Sequence, residues 1–186
     1  MRNLIRSWVA FKRLIATPDL PDLGPRPRAT RLPLSELNHR VDCFIEEASL
    51  PSTLQPLVRS AALLWHDYLD ESHAIAQSID TADGSFLHGI MHRREPDYRN
   101  AKYWFHRVGQ HACFPAIAGE VMRRLEIKRE TQLAARLAPR GHWDPFAFVD
   151  ACEEAANLAP SIQRLQILKV IQEIEFDRLL KHLLAS

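Results

Sequence analysis

The chain of 186 residues has little glycine, few cysteines, almost no net charge and no long apolar run. Its six glycines are scattered, and none sits in a phosphate-cradling loop, so P-loop and Rossmann dinucleotide sites are out. No Gly-x-Ser-x-Gly elbow occurs, which removes the serine hydrolases built on that turn. Cys43, Cys113 and Cys152 are odd in number, far apart and without CxxC spacing. That pattern argues against a disulfide scaffold or a structural zinc knuckle and for a reducing compartment, here expected to be the cytoplasm. With 24 Lys+Arg against 23 Asp+Glu the formal net charge is +1, which argues against a general nucleic-acid binder. No segment approaches the ~18 apolar residues of a membrane span, and no segment alternates with the period of a strand.

What is present is 46% hydrophobic residues, enough for one domain with a sizeable core. Met1–Ala16 has Leu4, Trp8, Phe11 and Ile15 at helical spacing, with Arg2, Arg6, Lys12 and Arg13 and no acid before Asp19. It reads as an amphipathic helix packing on the core, or as a transit peptide or membrane-surface helix. Residues 17–33 hold Pro18, Pro21, Pro25, Pro27 and Pro33, and read as an extended arm, an expected contact for a partner copy. Residues 1–34 thus form a helix plus arm, and 35–186 a single helical domain.

Within that domain the spacing predicts helices over Ser35–Ala48, Ser52–Ile79, a short one after Ser85 that stops before Pro96, and one from the Asp97 cap to Gly109. Three more are expected over Pro115–Leu137, Pro145–Leu158 and Ser161–Leu184, with Asp144-Pro145 as a cap-plus-first-turn start. The fold class is therefore all-α, a bundle of about seven or eight helices.

Six of the nine histidines fall between His66 and His111. On one long helix His66, Asp70, His73 and Gln77 would share a face, and His88 and His92 are one turn apart on the next. If the two helices face each other, His66, Asp70, His73, His88 and His92 are candidate ligands for one divalent metal (zinc, iron, manganese or nickel). Asp67, Glu95 and Asp97 are candidate orienting groups or general bases. Asp70/His73 also has the carboxylate-x2-His spacing of di-iron bundles, although the further bridging carboxylates cannot be picked out.

Around these lie Arg93, Arg94, Arg99, Lys102 and Arg107 against Glu95 and Asp97, a local charge of +3. Arg93, Arg94 and Lys102, with Tyr103 and His106, are candidate contacts for a small anionic ligand. Two neutral readings stand beside this one. The arginines can pair with local acids, and Cys113 beside His111 can be a buried apolar side chain rather than a thiolate pair. His39 and His182 read as helix-surface residues, and His142 as part of a turn anchored by Trp143.

The stretch from His88-Gly-Ile-Met-His92-Arg-Arg-Glu-Pro-Asp-Tyr through Asn100-Ala-Lys-Tyr-Trp-Phe to Gly109 resembles the signature of an uncharacterised family of bacterial and fungal proteins. Trp65-His66-Asp67, Asp70-Glu-Ser-His73 and Asp83-Gly-Ser85 share that resemblance, which covers roughly residues 60–115. It implies that the block is one unit and transfers no activity. Ala61-Ala-Leu-Leu-Trp-His-Asp67 is also similar to the His-Asp helix of HD-domain phosphohydrolases, with His39 upstream and Asp144 as the candidate last ligand. Tyr68-Leu69-Asp70 departs from that family's pattern.

Two functions from different classes follow. One is a polar pocket between His66–His73 and His88–Arg107 that binds an anion and a metal, with hydrolytic or oxygen chemistry. The other is a non-enzymatic interaction module whose histidines and arginines form a structural network.

Overall fold

The computed structural model describes residues 2–156 and 163–185, with side chains from Ser7 onward. Those residues form ten α-helices and one short 3-10 turn, and no strand is found among them. In chain order the helices are α1 (Arg2–Leu14), α2 (Leu34–Glu47), α3 (Gln55–Trp65), α4 (Leu69–Ala76), α5 (Ala82–Arg94), α6 (Tyr98–Val108), α7 (Phe114–Ile127), α8 (Thr131–Leu137), α9 (Pro145–Ala155) and α10 (Gln163–Leu183). Leu158 and Ser161, expected at a helix end and a helix start, lie outside the described residues. No described helix is long and apolar enough to cross a membrane.

Two expected helices are each broken in two, for the same reason. After Trp65 the chain turns left-handed at Asp67 (φ 64°), and the Tyr68 amide donates to the Leu63 carbonyl at 3.0 Å. After Ile127 it does so at Arg129 (φ 57°), and the Glu130 amide donates to Leu125 at 2.9 Å. This six-to-one bond closes a helix C-terminus in the Schellman manner, usually with glycine at the left-handed position. Aspartate tolerates that position, whereas arginine does so only at a cost. Three helix starts differ from expectation: Ser35 lies inside α2, which follows Pro33 without a side-chain cap, α3 begins at Gln55 rather than Ser52, and α5 begins before Ser85, where Thr81 accepts from the Gly84 amide at 3.1 Å. Three expected caps hold. Asp97 accepts from the Asn100 amide at 3.2 Å, Asp144 accepts from the Phe146 and Ala147 amides at 3.0 Å each, and Gly109 (φ 63°) ends α6.

The helix α5 is the axis of the molecule, buried from Gly84 to Arg94 and packed on α3, α4 and α6. Two glycines permit this. A Cβ at Gly84 would stand 2.4 Å from the Ile79 carbonyl oxygen, and one at Gly89 would stand 3.0 Å from the Phe105 ring. The closing helix α10 packs on α1, α3, α7 and α9.

The proline-rich segment is bound to this body rather than swinging from it. Leu23 is buried, and Gln172 Nε2 donates to the carbonyls of Pro21 and Asp22 at 3.3 and 3.2 Å. The Arg28 amide and Nε both donate to Asp67 Oδ2, at 2.9 and 2.8 Å.

Candidate functional site

The turn between α4 and α5 brings His73 over the face of α5 that carries His88 and His92. A ring nitrogen from each lies within 4.8 Å of the others. His88 and His92 stack one turn apart, with centroids 4.7 Å apart and planes at 15°. His73 meets both edge-on, with centroids at 4.6 and 5.1 Å. Three imidazoles on one tetrahedral ion at ~2.0–2.1 Å would have centroids roughly 5 Å apart, so the trio stands within a few tenths of an ångström of that spacing.

The surroundings treat the three rings differently. His92 donates Nδ1–H to Glu95 Oε2 at 3.1 Å, and the Asn100 amide donates to its Nε2 at 3.1 Å. His88 stacks on Trp104 at 3.8 Å, and neither of its ring nitrogens has a hydrogen-bond partner although both are buried. Burial, then the neighbouring His92 and His73, pushes the His88 pKa down to about 3. Burial also lowers the His92 pKa, with Glu95 working against it. Neutral rings with bare lone pairs are the form that metals bind. Beside Glu95 a groove of about 340 Å³ opens to solvent, with Asp70, Glu71, Tyr68 and Arg31 on its walls.

The structure separates the other sequence candidates from this trio. His66 caps α3, and its Nδ1 accepts from the Leu32 amide at 3.1 Å. The break at Asp67 takes it off the face that carries His73. Burial, then the Arg28 charge, pushes the His66 pKa down to about 4. Asp70 is exposed on the groove wall. Asp67 is clasped by Arg28 and by Arg94 Nη2 at 2.6 Å. Burial works against its charge, yet those bonds outweigh it and hold the carboxyl below its ordinary range. Asp97 caps α6 on the exposed side.

The arginines point into the fold. Both Nη atoms of Arg93 reach the buried Glu175 carboxylate, at 3.2 and 2.5 Å, and its guanidinium lies 4.3 Å from the Phe148 ring centre. Arg94 donates to Asp67, to the Leu64 carbonyl at 2.6 Å and to the Asp22 carbonyl at 3.0 Å. Lys102 pairs with Asp150 at 2.5 Å, and Tyr103 and His106 are exposed. The neutral reading of Cys113 agrees with its burial, which pushes the thiol up to about 12.

Two further residues belong to the site. Asn100 and Trp104 are one turn apart on α6, as His88 and His92 are on α5, so matching i, i+4 pairs on consecutive helices were a signal in the sequence. The chain matches no family profile, no curated protein and no solved structure. Its function has to be read from the geometry.

Proposed function

We propose that His73, His88 and His92 hold one divalent transition metal, zinc by preference, and that the protein performs metal-assisted hydrolysis at that centre. One observation carries the reading. Both ring nitrogens of His88 are buried without a partner, beside two further imidazoles whose ring nitrogens gather within 4.8 Å. A buried polar atom left alone costs about 1–3 kcal/mol, and a bound ion is one of the few things that offset this. Held by these three imidazoles, a divalent ion would supply Lewis acidity and a bound water acidic enough to ionise near neutral pH.

The residues of the chain divide the remaining work. Glu95 fixes His92 with Nδ1 protonated, which leaves Nε2 for the ion in exchange for the Asn100 bond. Trp104 holds the His88 ring flat and keeps water from one side of it. Arg93 and Arg94 are spent inside the fold, so a small anion would be drawn by the ion itself. The free state of Cys43, Cys113 and Cys152 supports a reducing compartment such as the cytoplasm.

A structural network is the second reading, favoured by the two partners that His92 already has. Cobalt(II) titration followed by visible absorption separates the two. In His182→Ala protein, which leaves the His73–His88–His92 group alone, a tetrahedral spectrum saturating at one equivalent is expected, and it is lost when His88→Gln is added. The proposal expects Glu95→Gln to keep the spectrum and weaken affinity about 10–100-fold. No tetrahedral spectrum in folded His182→Ala protein would leave the structural network standing.

A further inference from the structure

At the other end of α5, three residues outside the histidine trio converge, with two imidazoles meeting one carboxylate oxygen. Asp83 lies in the first turn of α5, His111 between α6 and α7, and His182 in the last turn of α10. Asp83 Oδ1 stands 3.0 Å from His111 Nε2 and 3.6 Å from His182 Nε2, and the two rings meet edge-on with centroids 4.9 Å apart. We propose that Asp83, His111 and His182 form a second divalent-metal site, separate from the first, which ties the C-terminal helix to the start of the central one.

The spacing is the first ground. Ligand atoms about 2.0–2.1 Å from a tetrahedral zinc are roughly 3.3–3.4 Å from one another, and 3.0 and 3.6 Å bracket that edge. Two imidazoles and a carboxylate are a zinc-type donor set rather than a magnesium or calcium one. The second ground is burial on one side only. His111 is 7% exposed and its ring is held between Phe86 and Phe114, whereas the Asp83 and His182 side chains are 25% and 31% exposed. An ion therefore has a rigid ligand behind it and solvent in front to complete its coordination.

The third ground lies behind His111. Its Nδ1 is 3.0 Å from Cys113 Sγ and 3.3 Å from the Cys113 amide nitrogen. Without an ion, Nδ1 accepts there and Nε2–H donates to Asp83. With one, the ion takes the place of the Nε2 proton and the ring proton moves to Nδ1, where Cys113 Sγ accepts it at the cost of the 3.3 Å bond from the Cys113 amide. Cys113 serves as the orienting partner on the far side of the ring and not as a ligand.

The test is zinc stoichiometry by equilibrium dialysis on the full chain, with circular dichroism to confirm folding. Wild type should bind two ions. Asp83→Asn and His182→Ala, each changing a partly exposed side chain, should bind one, with affinity at the altered site weakened at least tenfold. His88→Gln should also bind one, so that failure of the first site and failure of this one give different patterns. Nitrogen NMR of wild type gives an independent reading: the His111 proton should move from Nε2 to Nδ1 on adding zinc. Unchanged stoichiometry and affinity in Asp83→Asn and His182→Ala, or a His111 tautomer indifferent to zinc, would overturn the proposal.

Discussion

Arg93 has no exposed side-chain surface, and neither has its partner Glu175. Burial opposes both charges and lifts the Glu175 carboxyl above its ordinary range, so each depends on the other. Arg93→Met should therefore cost roughly 3–5 kcal/mol by urea denaturation, because it strands a buried carboxylate, while Arg93→Met with Glu175→Leu should recover most of that loss. A single-variant cost below about 1 kcal/mol would show the pair to be dispensable. His66 faces the opposite problem, since it is buried and must stay neutral. Its folded pKa of about 4 lies below the ordinary 6.5, so between those values the unfolded chain binds the extra proton. Its contribution is thus complete above pH 6.5 and is lost on acidification, with a slope of at most about 1.4 kcal/mol per pH unit. In chelator, His66→Asn should lower stability at pH 7.5 and should flatten its fall between about pH 6.5 and 5. An unchanged slope would mean that His66 does not titrate with unfolding.

At the scale of elements, the breaks at Asp67 and Arg129 decide what the sequence can show. Caps written in side chains, such as Asp97 and Asp144-Pro145, are legible because an oxygen before a helix has one obvious use. The left-handed turns at Asp67 and Arg129 are not legible, because neither residue advertises that conformation as glycine does. Eight expected helices therefore become the ten observed. At Asp67 the salt bridges to Arg28 and Arg94 hold the turn, two contacts from distant segments that no local pattern contains. Arg129 is exposed, so Arg129→Gly relieves strain at little expense and should raise stability by about 0.5–1 kcal/mol, read as a shift in denaturation midpoint. A loss instead would mean that the arginine side chain holds the turn.

At the scale of the whole molecule, the site was legible where its members are neighbours in sequence. His88, His92 and Glu95 lie within two turns of α5 and its cap, and His73 reaches them across one short connection. His66 and the two arginines were drawn into the same pocket by their place in the chain, but their partners are Leu32, Glu175 and the proline-rich segment. Asp83, His111 and His182 span most of the domain, so only the fold brings them together. The two proposed metal sites lie towards opposite ends of the central helix, and if both hold ions, a chelator should lower the melting temperature, with recovery on adding zinc. A melting temperature indifferent to chelator and to zinc would deny the ions any part in the fold.

The most direct measurement is metal content by inductively coupled plasma mass spectrometry, on tag-free His182→Ala protein purified without chelator, so that one site is counted. Close to one transition-metal ion per chain is expected, lost when His88→Gln and His92→Gln are added. Sub-stoichiometric metal that zinc reconstitution does not raise, or a content indifferent to those two substitutions, would contradict it.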